Sequence, residues 1–323
     1  MVKAIRVYEY GGVEVMKWED VKLGEPKSGQ IRVKNKAIGV NYTDVYARKG
    51  LLESFNQPLP FTPGCEAVGV VIAVGPDVTT FKVGDMVAFA YRFQASTYAE
   101  EMVLSADRVV AVPPSIDPVV AAAAIFKGLS AQVLVGPGHT ILFHAAAGGV
   151  GSLACQWANA LGATVIGTVS TKEKAVLAKE DGCHHVIIHK EENFVDRVME
   201  ITSGKGVDVV YDSVGKDTFR GSLACLKVHG YVVAFGMASG EHEPLRFIQA
   251  AQKSIYYTAV STYSYVAQRD ELLAASQELF SNVENGALRV RLYQAYPLSQ
   301  VAQAHLDMES RKSTGSIVLV PDA

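Results

Sequence analysis

Cysteine is scarce in this chain: Cys65, Cys155, Cys183 and Cys225 are the four in 323 residues, widely scattered and with no CxxC pair. That spacing excludes a disulfide scaffold and a clustered four-thiol zinc lobe, and reduced thiols are expected. Net charge is also nearly absent, at −3, so there is no broad electrostatic footprint for nucleic acid or an anionic membrane. Long apolar runs are missing too, since Gly, Pro or charge interrupts each of them well before about eighteen residues. The opening MVKAIRVYEYGG lacks the apolar core of a signal peptide. These absences give the expectation of a cytoplasmic protein with no membrane or nucleic-acid partner. No internal repeat or low-complexity tract is found.

What is present is enough for two cores: 323 residues, 49% of them hydrophobic and 20% charged, favour two domains over one. Up to about residue 120 the chain reads as short strands punctuated by glycine and proline, such as IRVKNKAIGV, EAVGVVIAVG, DMVAFA and VVAVPP. From Thr140 to about Val260 apolar strands alternate with amphipathic helices, the pattern of a doubly wound parallel sheet. Its first strand is TILFH at 140–144. The following helix has Leu153, Trp157, Ala160 and Leu161 on one face and Gly162 to end it. The next helix is predicted to open at Ser170, with Glu173 completing a capping box. A helix with Phe194, Val198 and Ile201 on one face leads to VDVVY, then come YVVAF and a sixth strand beginning at Ile255. The fold class is therefore α/β, a β-rich domain plus a Rossmann-type parallel sheet.

HAAAGGVG, residues 144–151, joins the first of these strands to its helix. In a nucleotide-binding turn of this kind three small residues permit the tight turn, the approach of the pyrophosphate and the packing of helix on strand. Ala146, Gly148 and Gly151 hold those spacings, and the helix directs its unpaired amides at the anion. About twenty residues on, an NAD site would place an acid for the ribose hydroxyls. Here Ser170 stands at that place with Lys174 nearby. A hydroxyl and an ammonium accept a 2′-phosphate that a carboxylate would repel, so NADPH is the expected cofactor.

Read as a series, the motifs resemble the medium-chain dehydrogenase/reductase superfamily, specifically its zinc-independent, zeta-crystallin-like quinone oxidoreductases. The resemblance is carried by GVNYTDVYARKG, PFTPGCEAVGVVIAVGPDVTTFKVGDMVAF, HAAAGGVGSLACQWANALGATVIGTVSTKEKA, VDVVYDSVGKDTF, YVVAFGMASG and SRKSTGSIVLVP. It implies a GroES-like catalytic domain over 1–125 and 264–323, a Rossmann NADPH-binding domain over 126–263, and quinone reduction in the cleft between them. By motif position it implies that Asn41 and Tyr46 face nicotinamide and substrate. It gives the pyrophosphate to Ala147, Gly148, Gly149 and Val150, and the adenosine with its 2′-phosphate to Ser170, Lys174, His189 and Arg311. Gly215, Phe235, Gly236, Met237 and Ala238 would line the cofactor at the ends of the fourth and fifth strands, with Thr258 and Val260 on the sixth.

Two departures stand out. The segment from Lys127 to Thr140 is several residues shorter than usual, so a truncated or rerouted helix is expected there. Leu51 and Leu52 replace a tyrosine often found after the ArgLysGly run, which implies a more apolar quinone pocket. Zinc relatives need a cysteine in the segment occupied by GVNYTD and a histidine in a GlyHisGlu triplet; this chain has Val40 or Asn41, and Cys65, there, so no metal is expected. An electron-poor quinone needs less Lewis-acid help than an alcohol, and Asn41 and Tyr46 are expected to donate hydrogen bonds to the developing oxyanion. The alternatives are an enone or enal double-bond reductase on the same cofactor, or an RNA-binding relative that retains NADPH. The apolar sixth strand, at an open sheet edge, predicts a homodimer.

Overall fold

The computed structural model describes residues 1–51, 58–90, 96–134 and 138–322; Leu52 lies outside them. Strands β1 (Val2–Val7), β2 (Met16–Val21) and β3 (Gln30–Val40), helix α1 (Tyr42–Lys49), strands β4 (Glu66–Val74), β5 (Met86–Ala90), β6 (Glu101–Ser105) and β7 (Val109–Ala111), and helix α2 (Pro118–Leu134) open the chain. Then come β8 (Thr140–Phe143), α3 (Gly149–Ala160), β9 (Thr164–Val169), α4 (Lys172–Glu180), β10 (His185–Ile188), α5 (Phe194–Ile201), β11 (Val207–Asp212), α6 (Phe219–Cys225), β12 (Leu226–Ala234), α7 (Phe247–Lys253), β13 (Tyr256–Ala259) and α8 (Thr262–Tyr265). The chain closes with α9 (Arg269–Glu284), β14 (Leu292–Pro297), α10 (Val301–Glu309) and β15 (Ser316–Val320). It divides into two compact units, Met1–Leu129 with Val266–Asn285 and Val290–Ala323, and Ser130–Tyr265 with Gly286–Arg289.

The first unit is built on a largely antiparallel sheet in the order β14-β15-β3-β4-β5-β7, with β6 paired to β3. Alternation along β3 sends Ile31 and Val33 to the interior while Lys34 and Lys36 lie outside that core, as a half-buried antiparallel strand requires. These side chains join Val71, Phe89, Leu104, Leu298 and Leu319 in one core. Helix α2 runs through Lys127 to Leu134, so the short connection does not cut it before that point. Residues 135–137 lie outside the described residues.

In the second unit six parallel strands stand in the order β10-β9-β8-β11-β12-β13. That is the doubly wound order, with its switch point between β8 and β11. Leu142, Ile166, Ile187, Val210 and Val232 fill the core, one from each of five strands. Two expectations shift. In α3 every residue from Gly151 to Ala158 is buried, Leu153 and Trp157 among them, whereas Ala160 and Leu161 at its end are exposed, because the helix stops there and Gly162 turns left-handed at φ +77°. Helix α4 is capped by Thr171, whose side chain accepts from the Lys174 amide, one residue later than the predicted Ser170; Ser170 is thereby left beyond the strand end. The edge strand β13 is exposed along its length.

His144, the last residue before the glycine turn, is 1% exposed. Its Nε2 lies 3.0 Å from Ser222 Oγ and its Nδ1 3.0 Å from Thr168 Oγ1. Ser222 donates its proton to Asp212, so it accepts from His144 Nε2–H, and Nδ1 accepts from Thr168. Burial lowers the imidazole pKa to about 4, against an opposing pull from Asp212. Between about pH 6.5 and 4 the unfolded chain therefore binds the proton and the folded one does not, so stability falls as pH falls. His144→Gln should flatten urea-unfolding stability across that range relative to the wild type; parallel curves for the two proteins would contradict the assignment.

Candidate active site

The residues expected at a cofactor gather, within the second unit, at the C-terminal edge of the parallel sheet. After β8 the chain turns through Ala145, at φ +55°. The Ala146 amide bonds to Thr168 and the Gly148 amide to Ala145. Gly148 is the N-cap of α3, leaving the amides of Gly149 and Val150 without intrahelical partners at the positive end of the helix. Ala147 is buried, and Gly148, Gly149 and Val150 are half-buried at the rim. A Cβ at Gly151 would lie 2.4 Å from the Ala145 carbonyl oxygen and 2.7 Å from that of Ala146. Only hydrogen fits there, and that close approach holds the helix end against the turn.

One strand over, Ser170 follows β9 and Lys174 lies in the first turn of α4. Burial lowers the Lys174 ammonium, and Lys190 lowers it further. His189 follows β10, its amide bonded to Val169, which brings it beside the Ser170 end of β9. Lys190 was not singled out from the sequence; its place directly after His189 at a strand end was the available signal.

On the other side of β8, Asp212 ends β11 and is 1% exposed. Its Oδ1 accepts from the amides of Val214 and Gly215 and from the Thr218 hydroxyl. Gly215, at φ +88°, and the 235–238 run are tied together through this loop: Phe235 N donates to Asp212 O, and Ala238 N to Ser213 O. Asp212 was missed as well, although an Asp followed by a turn at a strand end is a recognisable loop clamp. Val260 follows the edge strand, its amide on Ala234, and Thr258 lies within β13.

Asn41, Tyr46 and Arg311 belong to the first unit. Asn41 is the N-cap of α1, and its amide donates to Asp44 Oδ2 at 2.8 Å. Tyr46 is half-buried one turn along, its ring 6.0 Å from that of Tyr42. Arg311 is exposed, at φ +57° after α10; burial raises Tyr42, and the Arg311 charge opposes that rise. The expected donor role of Asn41 needs correction. Its Nδ2 donates to Glu66 Oε1 at 2.8 Å and lies 3.5 Å from Cys65 Sγ. Both amide hydrogens are committed within the first unit, and Oδ1 can only accept.

Beneath α1 runs a buried polar chain. Arg48 donates to His305 Nδ1, so the proton is on Nε2, which donates to the Tyr98 oxygen, and Tyr98 donates to Asp44 Oδ2. Arg48 also pairs with Glu309 at 2.9 Å. Burial, reinforced by Arg48, lowers His305 to about 3 and keeps it neutral; burial raises Asp44 to about 7. These groups lie up to 261 residues apart in sequence, and no local pattern links them.

With this geometry in hand, comparison with known proteins is decisive. A family model described as the alcohol dehydrogenase GroES-like domain matches residues 27–114, and one described as zinc-binding dehydrogenase matches 149–279. A quinone oxidoreductase of Pseudomonas aeruginosa is 44% identical over 99% of this chain and 100% of its own length. The chain belongs to the quinone oxidoreductase family of the medium-chain dehydrogenases/reductases. Within that family, a 2-haloacrylate reductase of a Burkholderia species is 42% identical over the full length of both chains. The crystal structure of Escherichia coli quinone oxidoreductase complexed with NADPH superposes with a TM-score of 0.94 at 41% identity, covering 99% of this chain and 100% of that one.

Zinc, which one family description names, does not fit the residues present. At the corresponding place stand Asn41, Cys65 and Glu66, and the Lys127 ammonium lies 2.7 Å from Glu66 Oε1. One thiol and one carboxylate fall short of three protein ligands, and an ammonium repels a cation. Among the described residues no group of three or more His, Cys, Asp or Glu side chains is arranged for a metal.

Proposed function

We propose that this chain is an NADPH-dependent quinone oxidoreductase that works without a metal. The observation that carries the reading is the C-terminal edge of the parallel sheet. There the α3 N-terminus is held against a turn that only glycine permits, and a serine and a lysine stand where an NAD site has an acid. Full-length relatives named quinone oxidoreductases, and a neighbour solved with NADPH, support it.

Bound NADPH supplies a hydride to the electron-poor acceptor. The chain's own residues bind and orient. Ala147, Gly148, Gly149 and Val150 would hold the pyrophosphate through helix-terminal amides. Ser170, Lys174, His189 and Arg311 would take the adenosine and its 2′-phosphate, and Gly215 with Phe235, Gly236, Met237 and Ala238 would line the cofactor. Tyr46 would donate to the developing oxyanion, and Asn41 would accept at Oδ1. The domains assigned to these tasks are 1–125 with 264–323 for the substrate and 126–263 for the cofactor.

The test is NADPH oxidation with a chelator present, comparing a simple naphthoquinone with simple enones. Quinone turnover should be the faster and should survive the chelator. Faster enone turnover favours a second reading, reduction of an activated carbon–carbon double bond, for which the 2-haloacrylate reductase relative speaks.

The same reading makes the protein a cytoplasmic homodimer, paired through the Rossmann sheet edge. No helix among the described residues is long and apolar enough to cross a membrane. Strand β13 ends the sheet with Tyr256 54% exposed and stacked on Tyr231, and Phe247, at the start of the preceding helix α7, is 86% exposed. An exposed aromatic edge of this kind is stabilised by pairing with a second copy. Sedimentation at micromolar concentration should give twice the chain mass, and a single-chain mass would contradict the pairing.

A further inference from the structure

Glu66 is fully buried, at 0% exposure, yet it is a charged group in the first unit's core sheet. Gly39 sits opposite it in register on β3, and a Cβ there would lie 1.9 Å from Glu66 Oε1. The missing side chain at position 39 is what lets the carboxylate lie over the neighbouring strand. Three donors meet it. Lys127 Nζ and Asn41 Nδ2 reach Oε1 at 2.7 and 2.8 Å, and the Phe126 backbone N–H reaches Oε2 at 2.8 Å. Lys127 is 6% exposed and follows a run, Ala121–Ile125, that is fully buried. A buried ion pair of this kind adds little net stability over neutral side chains of the same shape, so its place in the core asks for another explanation.

The chemistry of Asn41 supplies one. A carboxamide has a donor end and an acceptor end of nearly the same shape, and packing alone does not distinguish them. An ionised carboxylate accepts only, so it can face the NH₂ end alone. A neutral glutamine, or a protonated glutamate, can face either end. We propose that the Lys127–Glu66 ion pair is a positioning device that fixes the sense of the Asn41 carboxamide, committing Nδ2 to the interior and reserving Oδ1 as an acceptor at the active site. Lys127 and Glu66 are positioning residues for the reaction and act through Asn41. The inference deepens the quinone-reductase reading and rests on it for the role of Asn41.

Three measurements test it, made on the whole protein. The neutral double variant Lys127→Met/Glu66→Gln removes both charges and keeps the shape. Its Tm should stay within about 3 °C of wild type, while kcat falls about tenfold and KM for NADPH changes less than about twofold, because orientation and not binding is lost. The second measurement needs no turnover. In cofactor-free protein the Asn41 side-chain NH₂, assigned by its loss in Asn41→Asp, should be protected from hydrogen exchange in the wild type and lose at least about tenfold of that protection in the double variant.

The third is the single variant Glu66→Gln, measured in the same two ways. It removes the acceptor-only group that faces the Asn41 NH₂ while keeping Lys127, so kcat and NH₂ protection should fall in the same direction as in the double variant.

Wild-type kcat together with wild-type NH₂ protection in the double variant, or in Glu66→Gln, would overturn the proposal. Should either variant fail to fold, the other decides. A wild-type protein that oxidises NADPH with no quinone would refute the functional reading, and the exchange comparison would still test the positioning.

Discussion

The close approach of α3 to the carbonyls of Ala145 and Ala146 is the contact on which the cofactor half of the molecule depends. With hydrogen at Gly151 the first turn of the helix sits directly on the turn that follows β8, and any Cβ there would meet backbone oxygen at 2.4 Å. That contact fixes where the helix end points, and thus where the unpaired amides of Gly149 and Val150 and the positive end of the dipole converge. The sheet does the rest. Parallel strands deliver every following loop to the same edge, so Ser170, His189, Gly215 and Phe235 arrive beside the turn from four different strands without being near one another in sequence.

Buried acids hold the parts that the backbone alone does not. In the second unit Asp212 gathers two amides and a hydroxyl, and so shapes the loop that carries Gly215. In the first unit Glu66 joins β4 to α1 and α2 through three donors. A second acid, Asp44, ties the start of α1 to Tyr98 and His305. Each carboxylate is nearly fully enclosed, at 2% exposure or less, and each is met by several hydrogen-bond donors, the condition under which a buried polar group fixes geometry rather than weakening the fold.

Much of this was legible in the sequence, for reasons that are local. HAAAGGVG announced its turn because small residues at fixed spacing follow an apolar strand, and the six strands announced themselves by alternation with amphipathic helices. Right-handed crossovers then decide which face of the sheet each helix covers, while the strand order itself is read from the structure. Errors of one residue, such as the cap at Thr171 instead of Ser170, arose because adjacent hydroxyl residues compete for the same role. What stayed hidden is what pairs across long separations. Lys127 meets Glu66 across 61 residues and Tyr98 meets His305 across 207, and no periodicity links them. The donor role expected of Asn41 failed for the same reason, since its two hydrogens are taken by Glu66 and Cys65, 25 and 24 residues away.

A dinucleotide bearing a 2′-phosphate at the edge of the parallel sheet would meet the half-buried ammonium of Lys174, beside Lys190. The direct measurement is the Michaelis constant for NADPH and for NADH in the wild type and in Lys174→Ala, with the same quinone. A charge-assisted hydrogen bond of about 1.5 kcal/mol predicts that the substitution raises the constant for NADPH about tenfold. NADH, with nothing at that position to lose, should be unaffected, and kcat should hold for both. Equal losses with the two cofactors would contradict the account.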